Sequence, residues 1–163
     1  MGPDRAVFDK LLASLPVVAR RAGETVLSAG LKTDLLLILK KGAVVVLKDS
    51  IEIARVEQLG AVLGELSALL DRPHTAEVRA LEDSQFYVAD AGLLEKDPSM
   101  LLYVAKTLAQ RLFDADTGLI ELNKQLQAGQ SAGVLSKTLE RIQQMLGVGG
   151  ALQGYPVDGS RIL

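Results

Sequence analysis

No cysteine occurs among the 163 residues, so disulfides, thiolate metal sites and cysteine nucleophiles are excluded and the fold must stand on packing alone. Histidine is almost as scarce. Its single copy, His74, has no aspartate or glutamate pair at ligand spacing around it, so no metal site is expected. Excess positive charge is lacking too. The formal net charge is -2 at pH 7, and a chain without a cationic surface is a poor general binder of nucleic acid, because such binding works by displacing counterions from phosphates. No apolar run approaches the roughly 20 residues of a membrane helix, and the first residues do not read as a signal peptide. A cytoplasmic protein with no membrane contact is therefore expected. Motifs of the common enzyme classes are missing: there is no nucleophile elbow, no phosphate-binding Walker loop and no paired metal-binding histidines. The expectation is a non-enzyme.

What is present is a chain of ordinary composition, 48% hydrophobic and 23% charged, long enough for one domain with a helical extension. Periodicity divides it into parts. Residues 1–16 hold a short amphipathic helix, "DRAVFDKLLASL", with Val7, Phe8, Leu11, Leu12 and Leu15 on one face and Pro16 as its stop; it reads as a lid. Residues 17–97 change to short strands rich in β-branched residues and punctuated by glycine: "VVARR", "TVLS", "LLLILKK", "AVVVLK", "IEIARV", "AEVRAL" and "SQFYVAD". Asp49 and Ser50 read as a hairpin turn between the fourth and fifth. Strands at such close spacing predict a barrel or jelly roll, and runs apolar at consecutive positions predict strands covered on both faces. Residues 98–147 are helical, with a long helix over 98–127 and a second over 133–147 carrying Val134, Leu135, Leu139, Ile142 and Leu146. A glycine-rich tail over 148–163 reads as flexible.

The long helix carries a heptad pattern, Leu101, Ala105, Leu108, Leu112, Ala115, Leu119, Leu122 and Leu126. Its first half is expected to pack on the protein's own barrel. Its second half, Leu112, Ala115, Leu119, Leu122 and Leu126, is expected to form the seam of a homodimer.

The chemistry concentrates in "GELSALLDRPHTAEVRA", residues 64–80. A glycine followed by "ELSALL" admits a short helix whose first amide hydrogens are unpaired, an arrangement that attracts anions. Glu65 at that end would repel a bare phosphate yet can accept hydrogen bonds from a sugar hydroxyl, or can simply complement the helix dipole.

In ordered landmarks this chain resembles the cyclic nucleotide-binding domain family, that of the catabolite activator protein and the kinase regulatory subunits. The landmarks are Gly23 and Glu24 before a strand, Gly30 and Asp34 in a turn, Gly42 between strands, Gly60, the "GELSALLDRPHTAEVRA" stretch, and "LAQRL" on the long helix. The resemblance implies an α+β fold: an eight-stranded antiparallel β-roll, jelly-roll-like, with a short helix inside a phosphate-binding cassette and helices at both ends. It also implies a regulatory module with cyclic AMP or cyclic GMP as possible ligand and no metal. Glu65 would hold the ribose hydroxyl, and the amides around Gly64, Glu65, Leu66 and Ser67 would face the cyclic phosphate together with His74, Thr75 and Ala76. The family expects arginine where His74 stands. A neutral imidazole in place of a guanidinium fork forfeits about 1.5–3 kcal/mol of charge-assisted bonding, with protonation of His74 or a role for Arg72 as the available compensations. The alternative is a degenerate domain that serves as a dimerisation or protein-interaction platform. Glycines after "VLSKTLERIQQML", where a basic second helix would be needed, argue against DNA reading, so the output is expected to be an unknown protein partner.

Overall fold

The computed structural model describes residues 5–145, so the expected tail and Leu146 lie outside the described residues. Eight strands form two four-stranded sheets. In chain order they are β1 (Val17–Arg20), β2 (Thr25–Leu27), β3 (Leu35–Lys41), β4 (Val44–Lys48), β5 (Ile51–Val56), β6 (Val62–Leu63), β7 (Glu77–Ala80) and β8 (Ser84–Asp90). One sheet runs β1-β8-β3-β6, the other β2-β7-β4-β5, and every pairing is antiparallel. This is the expected antiparallel roll. Helix α1 (Arg5–Ser14) precedes it; α2 (Glu65–Leu70) interrupts it; α3 (Leu93–Lys96), α4 (Pro98–Gln127) and α5 (Ala132–Met145) follow.

The run "LLIL" of β3, Leu36 to Leu39, is buried on both faces, and the reason is visible in two separate clusters. Leu37 and Leu39 point into the roll with Phe86, Val44, Val46, Val78 and Leu63, whereas Leu36 and Ile38 point outward to Phe8, Leu94, Met100 and Val104 of the helices. Successive strand residues face opposite sides, so a strand covered twice has no polar side to show. Each such burial contributes about 1.5–3 kcal/mol. At the β4–β5 turn, Asp49 and Ser50 both have positive φ (50° and 64°), the conformation that matches a two-residue hairpin to the strand twist. The two-residue β6 has no period of its own and is not visible in the sequence pattern. It pairs with Leu37 and Ile38 of β3.

Helix α1 is a packing element, with Phe8 stacked on Tyr103 of α4 at 4.1 Å between ring centroids. Asp97 starts α4 by accepting from the amides of Ser99 and Met100, a cap typically worth about 1 kcal/mol. The inward face of α4 is out of phase with the heptad read from sequence. Leu108 packs on the roll as expected, but it does so with Met100, Tyr103 and Val104, while Leu101 is 47% exposed. Further along, α5 folds back on α4: Ile142 (2% exposed) meets Ala115, and Thr138 donates to Gln125 at 2.7 Å. Gly118 allows this approach, since a Cβ there would lie 2.3 Å from an Ile142 carbon. Ala115, placed in the dimer seam by spacing alone, is thus covered within the chain. The open face of α4 is Leu112, Phe113, Leu119, Ile120 and Leu126.

Candidate functional site

The "GELSALLDRPHTA" segment wraps one pocket of about 480 Å³ of atom-free space, counting its mouth. All eight residues singled out from sequence line it: Gly64, Glu65, Leu66, Ser67, Arg72, His74, Thr75 and Ala76, over a floor of Leu27, Val46 and Val78. Among the described side chains of α1 none lines the pocket; the amino-terminal helix read as a lid packs on α4 instead. Gly64 has φ 87°, and a Cβ would meet the Leu35 carbonyl oxygen at 2.8 Å. Only glycine brings the chain round this corner. The amides of the first turn of α2 have no acceptor within the helix itself.

Ser67 is buried and donates its hydroxyl to the Arg72 carbonyl at 2.5 Å, and the Arg72 amide returns a bond to the Ser67 carbonyl at 3.2 Å. Ser67 is therefore a brace that folds the loop back under α2. Lys32 pairs with Asp71 at the end of that helix and joins the β2–β3 loop to it. The Arg72 backbone is fixed, while its exposed guanidinium has no protein partner among the described residues and stands on the pocket wall. Thr75 is also exposed.

His74 does not present a charge. It is 8% exposed, its Nε2 lies 2.9 Å from the Thr33 hydroxyl, and its backbone is tied to Leu31 and Gly30. Burial lowers its pKa from the ordinary value, because the protein interior disfavours the cation. Of the two compensations for the missing arginine, protonation of His74 is thus opposed by its surroundings. Arg72 supplies a cation that has no partner among the described residues.

Glu65 differs from the sequence expectation in one important respect: it already has a partner. It is 2% exposed and pairs with Arg111, whose guanidinium also donates to the Val62 carbonyl at 2.9 Å. Arg111 lies on α4, 46 residues away in sequence. Spacing did not identify it. The available signal was an arginine in "LAQRL" on the inward side of an amphipathic helix, where a charge needs a buried acid. Among the described residues no three acidic, histidine or cysteine side chains gather as a metal site, and no described helix is long and apolar enough to cross a membrane.

Residues 17–96 match the family model described as the cyclic nucleotide-binding domain. No curated protein matches the chain. Among solved structures, the amino-terminal domain of a transcriptional regulator from Streptomyces coelicolor A3(2) is 26% identical, covering 67% of this chain and 84% of its own, with a TM-score of 0.53. A cyclic nucleotide-binding domain from Methylobacillus flagellatus is 24% identical over 68% of each chain, with a TM-score of 0.60. The catabolite activator protein of Thermus thermophilus shares 20% identity over 86% of this chain and 82% of its own, with a TM-score of 0.62. The last two likenesses speak to the fold.

Proposed function

Because residues 17–96 belong to the cyclic nucleotide-binding domain family, we propose that this protein is a regulatory module that takes a cyclic nucleotide, or a related phosphorylated ligand, into the pocket beneath α2. Occupancy is then passed to α4. The observation that carries this reading is that the eight site residues line one pocket in which Glu65 is also ion-paired to Arg111 of α4. A cyclic phosphate would face the free amides of the first turn of α2 and the unpaired guanidinium of Arg72. A ribose hydroxyl would donate to Glu65 and so compete with Arg111 for the same carboxylate oxygens. The ligand thereby acquires different affinities for two placements of α4, which is the condition for a binding event to shift a conformation. His74 adds no charge, so affinity is about 10- to 150-fold below that of a pocket with the family's arginine. Titration calorimetry with cyclic AMP and cyclic GMP at millimolar concentrations tests the reading. Heat with either supports it, and no heat with both removes its cyclic-nucleotide form.

One observation favours a second reading, a degenerate domain kept as a protein-interaction platform: the imidazole of His74 is buried against Thr33 where the family places its phosphate-binding guanidinium. His74→Arg separates the two. If the substitution creates or improves nucleotide binding, the pocket is competent; if it does neither, the platform is the better account. In both readings the exposed face of α4, with Leu112 at 64% and Phe113 at 66% exposure, pairs with that of a second copy, and the output is a contact with a protein and not with DNA.

A further inference from the structure

A second and wider hollow lies on the other side of the β1-β8-β3-β6 sheet, between α1, α4 and the segment leading into β6. It holds about 1090 Å³ of atom-free space counting its open mouth, against about 480 Å³ for the cassette pocket. Its walls are apolar and aromatic: Phe8 and Tyr103 stack on one side, Tyr87 stands on β8, and Leu59, 63% exposed, overhangs the rim. Tyr103 is anchored by its hydroxyl, which donates to the Gly60 carbonyl at 2.6 Å, so this wall is fixed and not a mobile ring.

Two cations line the hollow from different elements, Lys40 on β3 and Lys106 on α4. Neither has a carboxylate partner among the described residues; the Lys40 ammonium sits 5.3 Å from the centre of the Tyr87 ring. One acid, Asp9, is also on the rim, which leaves the hollow net positive in a chain whose formal charge is -2. Lysines that lay their methylene stems along apolar walls and hold their charges at the edge match a ligand with an apolar body and an acidic head. A concave, mostly apolar space with few polar groups is the general form of a small-molecule site.

We propose that this hollow is a second binding site, separate from the cassette pocket, for a small amphipathic carboxylate, its apolar body against Phe8, Tyr87 and Tyr103 and its head between Lys40 and Lys106. The probe is dodecanoate, titrated below its micelle concentration into the full chain and followed by backbone amide NMR shifts. Shifts are expected at Leu59, Gly60, Tyr103 and Lys106, with residues 64–67 and 72–76 unmoved. Dodecyltrimethylammonium, which has the same tail and the opposite head, is expected to bind far more weakly. Lys40→Glu with Lys106→Glu is expected to weaken dodecanoate by about tenfold or more. Lys40→Gln with Lys106→Gln, which keeps the stems, gives a smaller loss and serves if charge reversal disturbs folding. The proposal is overturned if the shifts map to the cassette, if the cationic tail binds as well as the acid, if both double variants bind dodecanoate unchanged, or if an acidic peptide fills the hollow while dodecanoate does not.

Discussion

Replacing Arg111 by methionine would leave the Glu65 carboxylate, 2% exposed, without its cation and the Val62 carbonyl without its donor. Methionine has a similar reach and no charge, so the packing of α4 against α2 is largely kept and the cost is electrostatic. Removing one partner of a buried ion pair costs about 3–5 kcal/mol, because the remaining charge stays out of water unpaired. The Arg111 side chain is 16% exposed and that of Glu65 3%, so the pair belongs to the buried class and not to the screened surface class of about 0–1 kcal/mol. For a chain of this length each kcal/mol corresponds to about 2–4 °C in Tm, which gives a fall of about 6–20 °C. Glu65→Leu strands the guanidinium in the same way. The double variant, apolar at both positions, is expected to lose far less than the sum of the singles, with a coupling of about 3 kcal/mol or more. Urea unfolding of the four proteins, extrapolated to water, gives the cycle directly. Single losses below about 1 kcal/mol that simply add would show that the carboxylate is effectively hydrated. That result would refute the claim that charge pairing ties the cassette to α4.

Three other outcomes are expected. The His74 pKa is lowered by burial, so the unfolded chain binds the extra proton first: its contribution to stability is full above the unfolded value of about 6.5 and is lost as pH falls through the lowered folded value. Urea midpoints measured from neutral to mildly acid pH should fall more steeply for the native chain than for His74→Gln, and parallel curves would show that this histidine is not the group responsible. Gly118→Ala places a methyl 2.3 Å from Ile142; overpacking of about 1–3 kcal/mol exceeds the gain of about 1 kcal/mol in helix propensity. Amide exchange across α5 should quicken, whereas unchanged exchange would mean that α5 is held elsewhere. Leu112→Glu with Leu119→Glu puts charges on the open face of α4 and should halve the mass seen by light scattering; a double variant with the native mass would remove this face as the dimer contact.

The strands and the cassette were legible because their signals are local. Consecutive leucines in β3 can only mean cover on both sides, two left-handed residues at Asp49 and Ser50 make a hairpin, and glycine before "ELSALL" marks a chain reversal into a short helix. Strand β6 was hidden because two residues cannot show a period; it exists because Leu37 and Ile38 offer it a partner. The seam on α4 was misphased for a related reason. A helix with leucines or alanines around most of its circumference does not declare which stripe faces inward, and Met100 and Val104, outside the heptad, were selected by the sheet.

Sequence by itself thus determined where the backbone turns and which of the longer segments are extended, since these follow from neighbours in the chain, while the family resemblance supplied the cassette residues that line the pocket. Only the tertiary structure decided what the charges do. Whether Glu65 meets water or Arg111, whether His74 is exposed or buried against Thr33, and whether Arg72 is left free depend on contacts spanning about 40 residues or more for the first two and on an empty space for the third. Coulomb energy and desolvation depend on distance through space and on exclusion of water, and neither quantity is written in the order of residues.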